Sequence, residues 1–244
     1  MEWKGFFLFL LLLLFLTVPE AALPPLPASG DATVETESKF VALTFDDGPR
    51  RDTTARLLDG LRERGAAATF FLVGERIAPN RDLVLRMGRE GHQVGNHTYT
   101  HCKLQGCTGE TVATELRRTD DMLQALLGTD TYWVRPPYGL IDPQNQALIP
   151  APLVHWSVDP EDWKLLDTQK VTGAVLDAVE PGDIILMHDF YGTSVDAALA
   201  IVDTLQAEGY VFVTVEELLS LYQIDPEPGV LYRSAKPGAW DAAF

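Results

Sequence analysis

The chain has 244 residues, 46% hydrophobic and 22% charged, an ordinary globular composition long enough for one large α/β domain or two small ones. Its formal charge is −16, and the first 38 residues hold only five acids and one base, so most of the acidity belongs to residues 39–244. That balance argues against nucleic acid and anionic membrane surfaces as partners and leaves neutral or locally accommodated polymers open.

Residues 1–22 read as a signal peptide or an N-terminal membrane anchor. An unbroken apolar run at 5–18 (GFFLFLLLLLFLTV) is short for a membrane span and of the length of a signal-peptide core. Either way the expectation is an exported protein, extracellular or wall-associated, that meets a membrane only through this segment if it stays uncleaved. Residues 23–38 are rich in Pro, Ala and Glu and read as a linker.

An alternation of strands and helices comes next. Strand 40–45 (FVALTF) ends in Asp46 and Asp47, and Gly48-Pro49 breaks it. Neighbouring side chains on an extended backbone face opposite ways, so the two carboxylates are expected to approach a site from different sides. Helix 52–64, strand 68–73, helix 79–90 and a short strand near 92–95 lead to His97 and His101. Their i, i+4 spacing predicts two imidazoles on one side of a helical turn, a common way to hold a transition metal. Asp47, His97 and His101 together make a two-histidine, one-carboxylate set that leaves coordination positions open for water and substrate. Cys102 and Cys107 come directly after; in an exported protein a local disulfide between them is one reading, and a Cys-x4-Cys contribution to metal binding is the lesser alternative.

Helix 109–127, strand 131–134, helix 142–149, strand 153–157, helix 168–179, strand 183–187, helix 193–208, strand 211–214 and helix 215–222 complete the series. Residues 223–244 read as an irregular tail, anchored by Trp240 and Phe244. Alternation of this kind implies a parallel sheet with helices outside. His92 and His155 have no motif partner and read as structural; Asp159 and Glu161 read as solvated loop acids.

Five polar clusters close apolar runs in this order: TFDDGP at 44–49, HTYTH at 97–101, RPPYG at 135–139, DPEDW at 159–163 and LMHD at 186–189. Together they resemble the polysaccharide deacetylases, the NodB-homology or family four carbohydrate esterases. The resemblance covers about residues 39–222 and implies a distorted (β/α) barrel, typically of seven strands, with the motifs at the C-terminal strand ends.

The resemblance also implies roles. A divalent metal, zinc first and cobalt or another transition metal as the alternative, would sit on Asp47, His97 and His101. Asp46 would be the base, held by Arg135. His188 would be the acid, tuned by Asp162. The Tyr138 backbone N–H would stabilise the oxyanion, and Trp163 with Leu186 would line a slot for an acetyl methyl group. The expected reaction is removal of N-acetyl groups from an extracellular polysaccharide by a monomer. N-acetylglucosamine of peptidoglycan is the first substrate, with chitooligosaccharide or acetylated xylan as alternatives and a non-catalytic sugar-binding homologue as a different class.

Overall fold

The computed structural model describes residues 39–242, so the expectations for the signal segment, the linker and Phe244 lie outside the described residues. In chain order the strands and α-helices are β1 (Lys39–Asp46), α1 (Arg51–Arg64), β2 (Thr69–Leu72), α2 (Gly74–Ile77), α3 (Arg81–Arg89), β3 (Gln93–Asn96), α4 (Gly109–Leu127), α5 (Pro143–Gln146), β4 (Leu153–Val154), α6 (Asp162–Leu165), α7 (Thr168–Ala178), β5 (Ile184–His188), α8 (Gly192–Ala207), β6 (Tyr210–Val213), α9 (Val215–Leu221), β7 (Val230–Tyr232) and β8 (Trp240–Ala242).

β1 is the hub. It pairs in parallel with β2, β5 and β6, and β2 pairs with β3. Single bridges then carry the circuit from Asn96 to Val134, from Val134 to Leu153 of β4, and from Val158 back to Ile185 of β5. The result is a distorted barrel in which Val134 alone stands where strand 131–134 was expected. Alternation along each strand sorts the side chains. Val41, Leu43, Phe45, Phe70, Leu72, Ile185 and Met187 join the apolar layer packed with α1, α3 and α8. Ala42, Phe71 and Ile184 instead join a second cluster with Val215, Leu218 and Leu219 of α9. The same alternation, one or two positions on, gives Thr44, Asp46, Leu186 and His188 a common face. The parallel register sets Thr44 against Leu186 and Asp46 against His188.

Three expectations of local structure fail for identifiable reasons. The helix expected at 79–90 is split: α2 and a 3-10 turn at Ala78–Asn80, carrying Pro79, precede α3. Helix 142–149 shrinks to α5, ahead of a segment ending at Pro150. The tail is ordered, because β7 pairs with β4 in parallel and β8 pairs with β7 antiparallel, with the Tyr232 and Trp240 rings 6.3 Å apart. β4 would otherwise be an open edge beside the site. Among the described residues, no helix is long and apolar enough to cross a membrane.

Gly95 in β3 marks a tight approach between barrel segments. A Cβ there would meet the Phe71 ring at 2.5 Å and the Trp133 carbonyl at 2.8 Å. Gly95→Ala is therefore expected to destabilise the fold by about 1–3 kcal/mol, the usual cost of overpacking. Thermal unfolding of the two proteins side by side checks this, and an unchanged midpoint would contradict the tight packing.

Candidate active site

A pocket of about 430 Å³ opens over the C-terminal ends of β1, β3 and β5, lined by Asp46, Asp47, His97, His101, Trp163, Leu186 and His188, among others. Asp46 reaches it as the last residue of β1 and is almost fully buried. Asp47 gets there differently. Its φ of 72° turns the chain back, so both carboxylates face the same pocket rather than opposite sides as an extended backbone predicts. His97 Nε2 lies 3.6 Å from Asp46 Oδ2 and 3.7 Å from Asp47 Oδ1. Arg76 holds the turn by donating a short hydrogen bond to the Asp47 carbonyl.

The two histidines are not on a helical turn. β3 ends at Asn96, and Thr98 and His101 are left-handed, with φ of 64° and 60°. Side chains replace helical acceptors here. Asn96 Oδ1 accepts from Thr98 N at 2.8 Å, and Glu115 Oε2, from α4, accepts from Tyr99 N at 3.0 Å and Thr100 N at 2.8 Å. The backbone amides thus have better local partners than an i−4 carbonyl. The imidazoles still converge, with ring centroids 5.0 Å apart.

The donor set suits a divalent cation. His97 Nδ1 is 2.7 Å from the Arg135 carbonyl, so this nitrogen carries the proton and Nε2 presents its lone pair to the pocket. His101 Nε2 is 3.1 Å from Asp47 Oδ1, a buried oxygen with no fixed hydrogen-bond donor. One ligand atom from each of Asp47, His97 and His101 lies within 4.8 Å of the others. Burial opposes ionisation of Asp47, yet the imidazoles of His101, His97 and His188 around it hold its carboxyl well below the usual range. Burial also keeps His97 neutral, as a ligand must be.

Arg135 is completely buried and fully used. Its Nη1 donates to Asp46 Oδ1 at 2.8 Å and Thr44 Oγ1 at 2.7 Å, and its Nη2 donates to the His155 carbonyl at 2.7 Å. On the adjacent strand, His188 Nδ1 donates to Asp162 Oδ1 at 2.7 Å, and the His188 amide donates to Oδ2 at 2.9 Å. Burial works against the imidazolium, but Asp162 and the charges of Asp46 and Asp47 outweigh it and raise His188 to about 9. Leu186, nearly fully buried, and half-exposed Trp163 both line the pocket, as does Tyr138, in a left-handed conformation with φ of 61°.

Cys102 and Cys107 are unbridged, where a disulfide was expected. Cys107 Sγ donates to the Lys103 carbonyl at 3.2 Å. Burial and the Glu115 carboxylate push the Cys102 thiol up to about 11, which disfavours the thiolate that oxidation needs. Sequence reasoning missed Thr44, Glu115, Arg76, Trp156 and Tyr191. Asp159, read as a solvated acid, is indeed exposed and, like Trp156 and Tyr191, also lines the pocket.

Comparison with known proteins agrees with this geometry. The polysaccharide deacetylase family model matches residues 33–149. A peptidoglycan-N-acetylglucosamine deacetylase of Bacillus cereus is 38% identical over 195 residues, covering 77% of this chain and 70% of the relative. The chain belongs to the polysaccharide deacetylase family. A second family member, the peptidoglycan-N-acetylmuramic acid deacetylase PdaC of Bacillus subtilis, is 37% identical over 188 residues, covering 77% of this chain. The chain spans only 40% of the length of that relative. Among solved structures, a family 4 acetyl xylan esterase from Clostridium thermocellum in complex with a cobalt ion aligns with a TM-score of 0.77 and 32% identity. That alignment covers 80% of this chain and 98% of the other. The deacetylase fold is therefore shared along almost the whole of that domain.

Asp162→Asn removes the main interaction that raises His188, so the imidazole is expected to titrate lower, towards its ordinary value near 6.5. The charged form is then lost at a lower pH. An NMR titration of the His188 ring in both proteins reads this directly, and an unmoved midpoint would mean that Asp162 is not the cause.

Proposed function

We propose that this protein hydrolyses N-acetyl groups of an extracellular polysaccharide, N-acetylglucosamine of peptidoglycan first, and releases acetate. The observation that carries the reading is that Asp46 and His188, register partners at the ends of β1 and β5, share one pocket with Asp47, His97 and His101. A divalent cation held by Asp47, His97 and His101, with zinc the first choice, would polarise the acetyl carbonyl and make the attacking water more acidic. The cobalt-bound esterase from Clostridium thermocellum supports a cation in a fold of this kind.

The remaining steps belong to the chain itself. Asp46 Oδ1 is tied to Arg135, which leaves Oδ2 to take the proton of the attacking water. Leu186 and Trp163 enclose the acetyl methyl and aim the carbonyl at the ligand set, and the Tyr138 N–H supplies a donor for the developing oxyanion. His188 enters the reaction as an imidazolium, since it is raised to about 9. Nδ1 stays on Asp162, so Nε2–H is the proton given to the departing amine. Base and acid start in opposite protonation states, as one turnover requires.

All these residues come from one chain, so a monomer suffices. The reading includes export, a catalytic domain beginning at residue 39, and zinc in place of another cation. The relatives that act on peptidoglycan support the substrate class, and the acidic surface sets no obstacle to a neutral sugar.

Acetate release from purified peptidoglycan and from N-acetylglucosamine oligomers, with zinc restored, tests the reaction and the polymer together. Release from neither substrate would overturn the reading. Asp46→Asn is expected to lose turnover by several orders of magnitude while still binding the cation; a variant that also loses the cation contradicts the division between Asp46 and Asp47. His188→Ala is expected to lose about 10²–10⁴-fold on the acetamide and far less on an activated acetate ester, whose leaving group needs no proton. Equal losses on both would remove His188 as the acid.

A further inference from the structure

The loop after β2 contributes no residue to the ligand set, yet four consecutive positions, 73–76, touch every loop that does. The Val73 amide donates to the Gly48 carbonyl at 3.0 Å, immediately after Asp47. The Gly74 amide donates to the Thr98 carbonyl at 3.0 Å and the Glu75 amide to the Tyr99 carbonyl at 3.0 Å, both between His97 and His101. The Arg76 guanidinium donates to the Asp47 carbonyl itself. The approach requires glycine at 74, because a Cβ there would lie 2.5 Å from Thr119 Oγ1 and 3.0 Å from the Tyr99 Cα.

The same side chain reaches the acid's loop. Arg76 lies over the Phe190 ring at 4.7 Å, and Arg50 over the same ring at 4.5 Å while donating to the Phe190 carbonyl at 3.1 Å. Phe190 is two residues after His188. Asn80 completes the frame by donating to the carbonyls of Arg76 at 2.9 Å and Pro49 at 3.3 Å.

We propose that residues 73–76 form a bracket that sets the spacing of Asp47 against His97 and His101, with Arg76 as its positioning residue. The inference rests on the reading of those three residues as cation ligands. Asp47 holds a left-handed backbone that a non-glycine residue adopts only under constraint. Arg76 supplies the constraint at the Asp47 carbonyl, and its cation–π contact with the Phe190 ring keeps it from swinging to solvent.

Cobalt(II) binding to the metal-free full chain, read by its visible absorption, tests this apart from catalysis. Arg76→Met is expected to bind cobalt about tenfold more weakly, the scale seen when outer partners of ligands are removed. Arg76→Lys, which keeps a donor and the charge, is expected to recover part of the loss. Phe190→Leu, which leaves Arg76 in place without its ring, weakens binding in the same direction by less. At saturating cobalt, kcat for acetate release falls in Arg76→Met while KM is unchanged. Cobalt affinity equal to that of the parent in a folded Arg76→Met protein overturns the bracket. If Arg76→Met does not fold, Arg76→Lys and Phe190→Leu decide the matter by the same affinity ordering. Should the parent release no acetate, the deacetylase reading fails while the cobalt ordering still judges the bracket.

Discussion

The buried guanidinium of Arg135 is the contact on which the rest of the site depends. A charge with no solvent exposure is tolerable only when its donors are used and a counter-charge is beside it. Asp46 is that counter-charge, and Thr44 with the His155 carbonyl takes two further donors. The guanidinium lies 4.2 Å over the Phe71 ring, which fills the barrel interior on one side. The backbone of the same residue does separate duty: its carbonyl fixes the His97 tautomer, and its amide donates to Asn96 at the end of β3. One residue thus orients Asp46, His97 and the strand that leads into His97. Removing either member of such a pair leaves an uncompensated buried charge, a loss on the order of 3–5 kcal/mol.

Much of this site was legible because it is written in residue type and order. An acidic pair at a strand end, two spaced histidines, and polar clusters closing apolar runs locate the ends of β1, β3 and β5. What stayed illegible was long-range or conformational. The HTYTH segment has helical spacing but no helix, because Glu115, from a helix that begins eight residues after His101, captures its amides. Strand 131–134 looks complete in sequence, yet only Val134 finds partners on both sides. The tail looked structureless because its order comes from β4, some 75 residues earlier in the chain. Asp47 looked like a strand residue because nothing local announces its left-handed turn. Arg76 and Phe190 carry no motif at all, since their meaning lies in loops that only the fold brings together.

Four of the carboxyl groups in and behind the pocket show how environment divides identical chemistry. Asp47 has imidazoles around it and stays anionic, well below the usual range. Asp162 accepts two bonds from His188 and serves that ring alone. Asp46 is split between Arg135 and the open pocket. Asp189, fully buried, rests against the backbone of Gly48 with one oxygen on Thr54 and the other without a partner; burial raises it to about 7. Asp189 is therefore a carboxyl held near neutrality, packed against Gly48 rather than lining the pocket.

The left-handed residues have a consequence beyond geometry. Asp47, His101 and Tyr138 carry positive φ and line the pocket, while Thr98, Glu161, Leu166 and Gln223 are the other described non-glycine residues with that conformation. Each conformation costs on the order of 1 kcal/mol for a residue with a Cβ, and glycine would adopt it freely. Selection for stability alone would replace these side chains one by one and tighten the fold while emptying the site. The rim is thus where function opposes stability, and a lineage released from catalysis should drift there first. A glycine at position 47 or 101 in a descendant would mark the loss of chemistry long before any loss of the barrel.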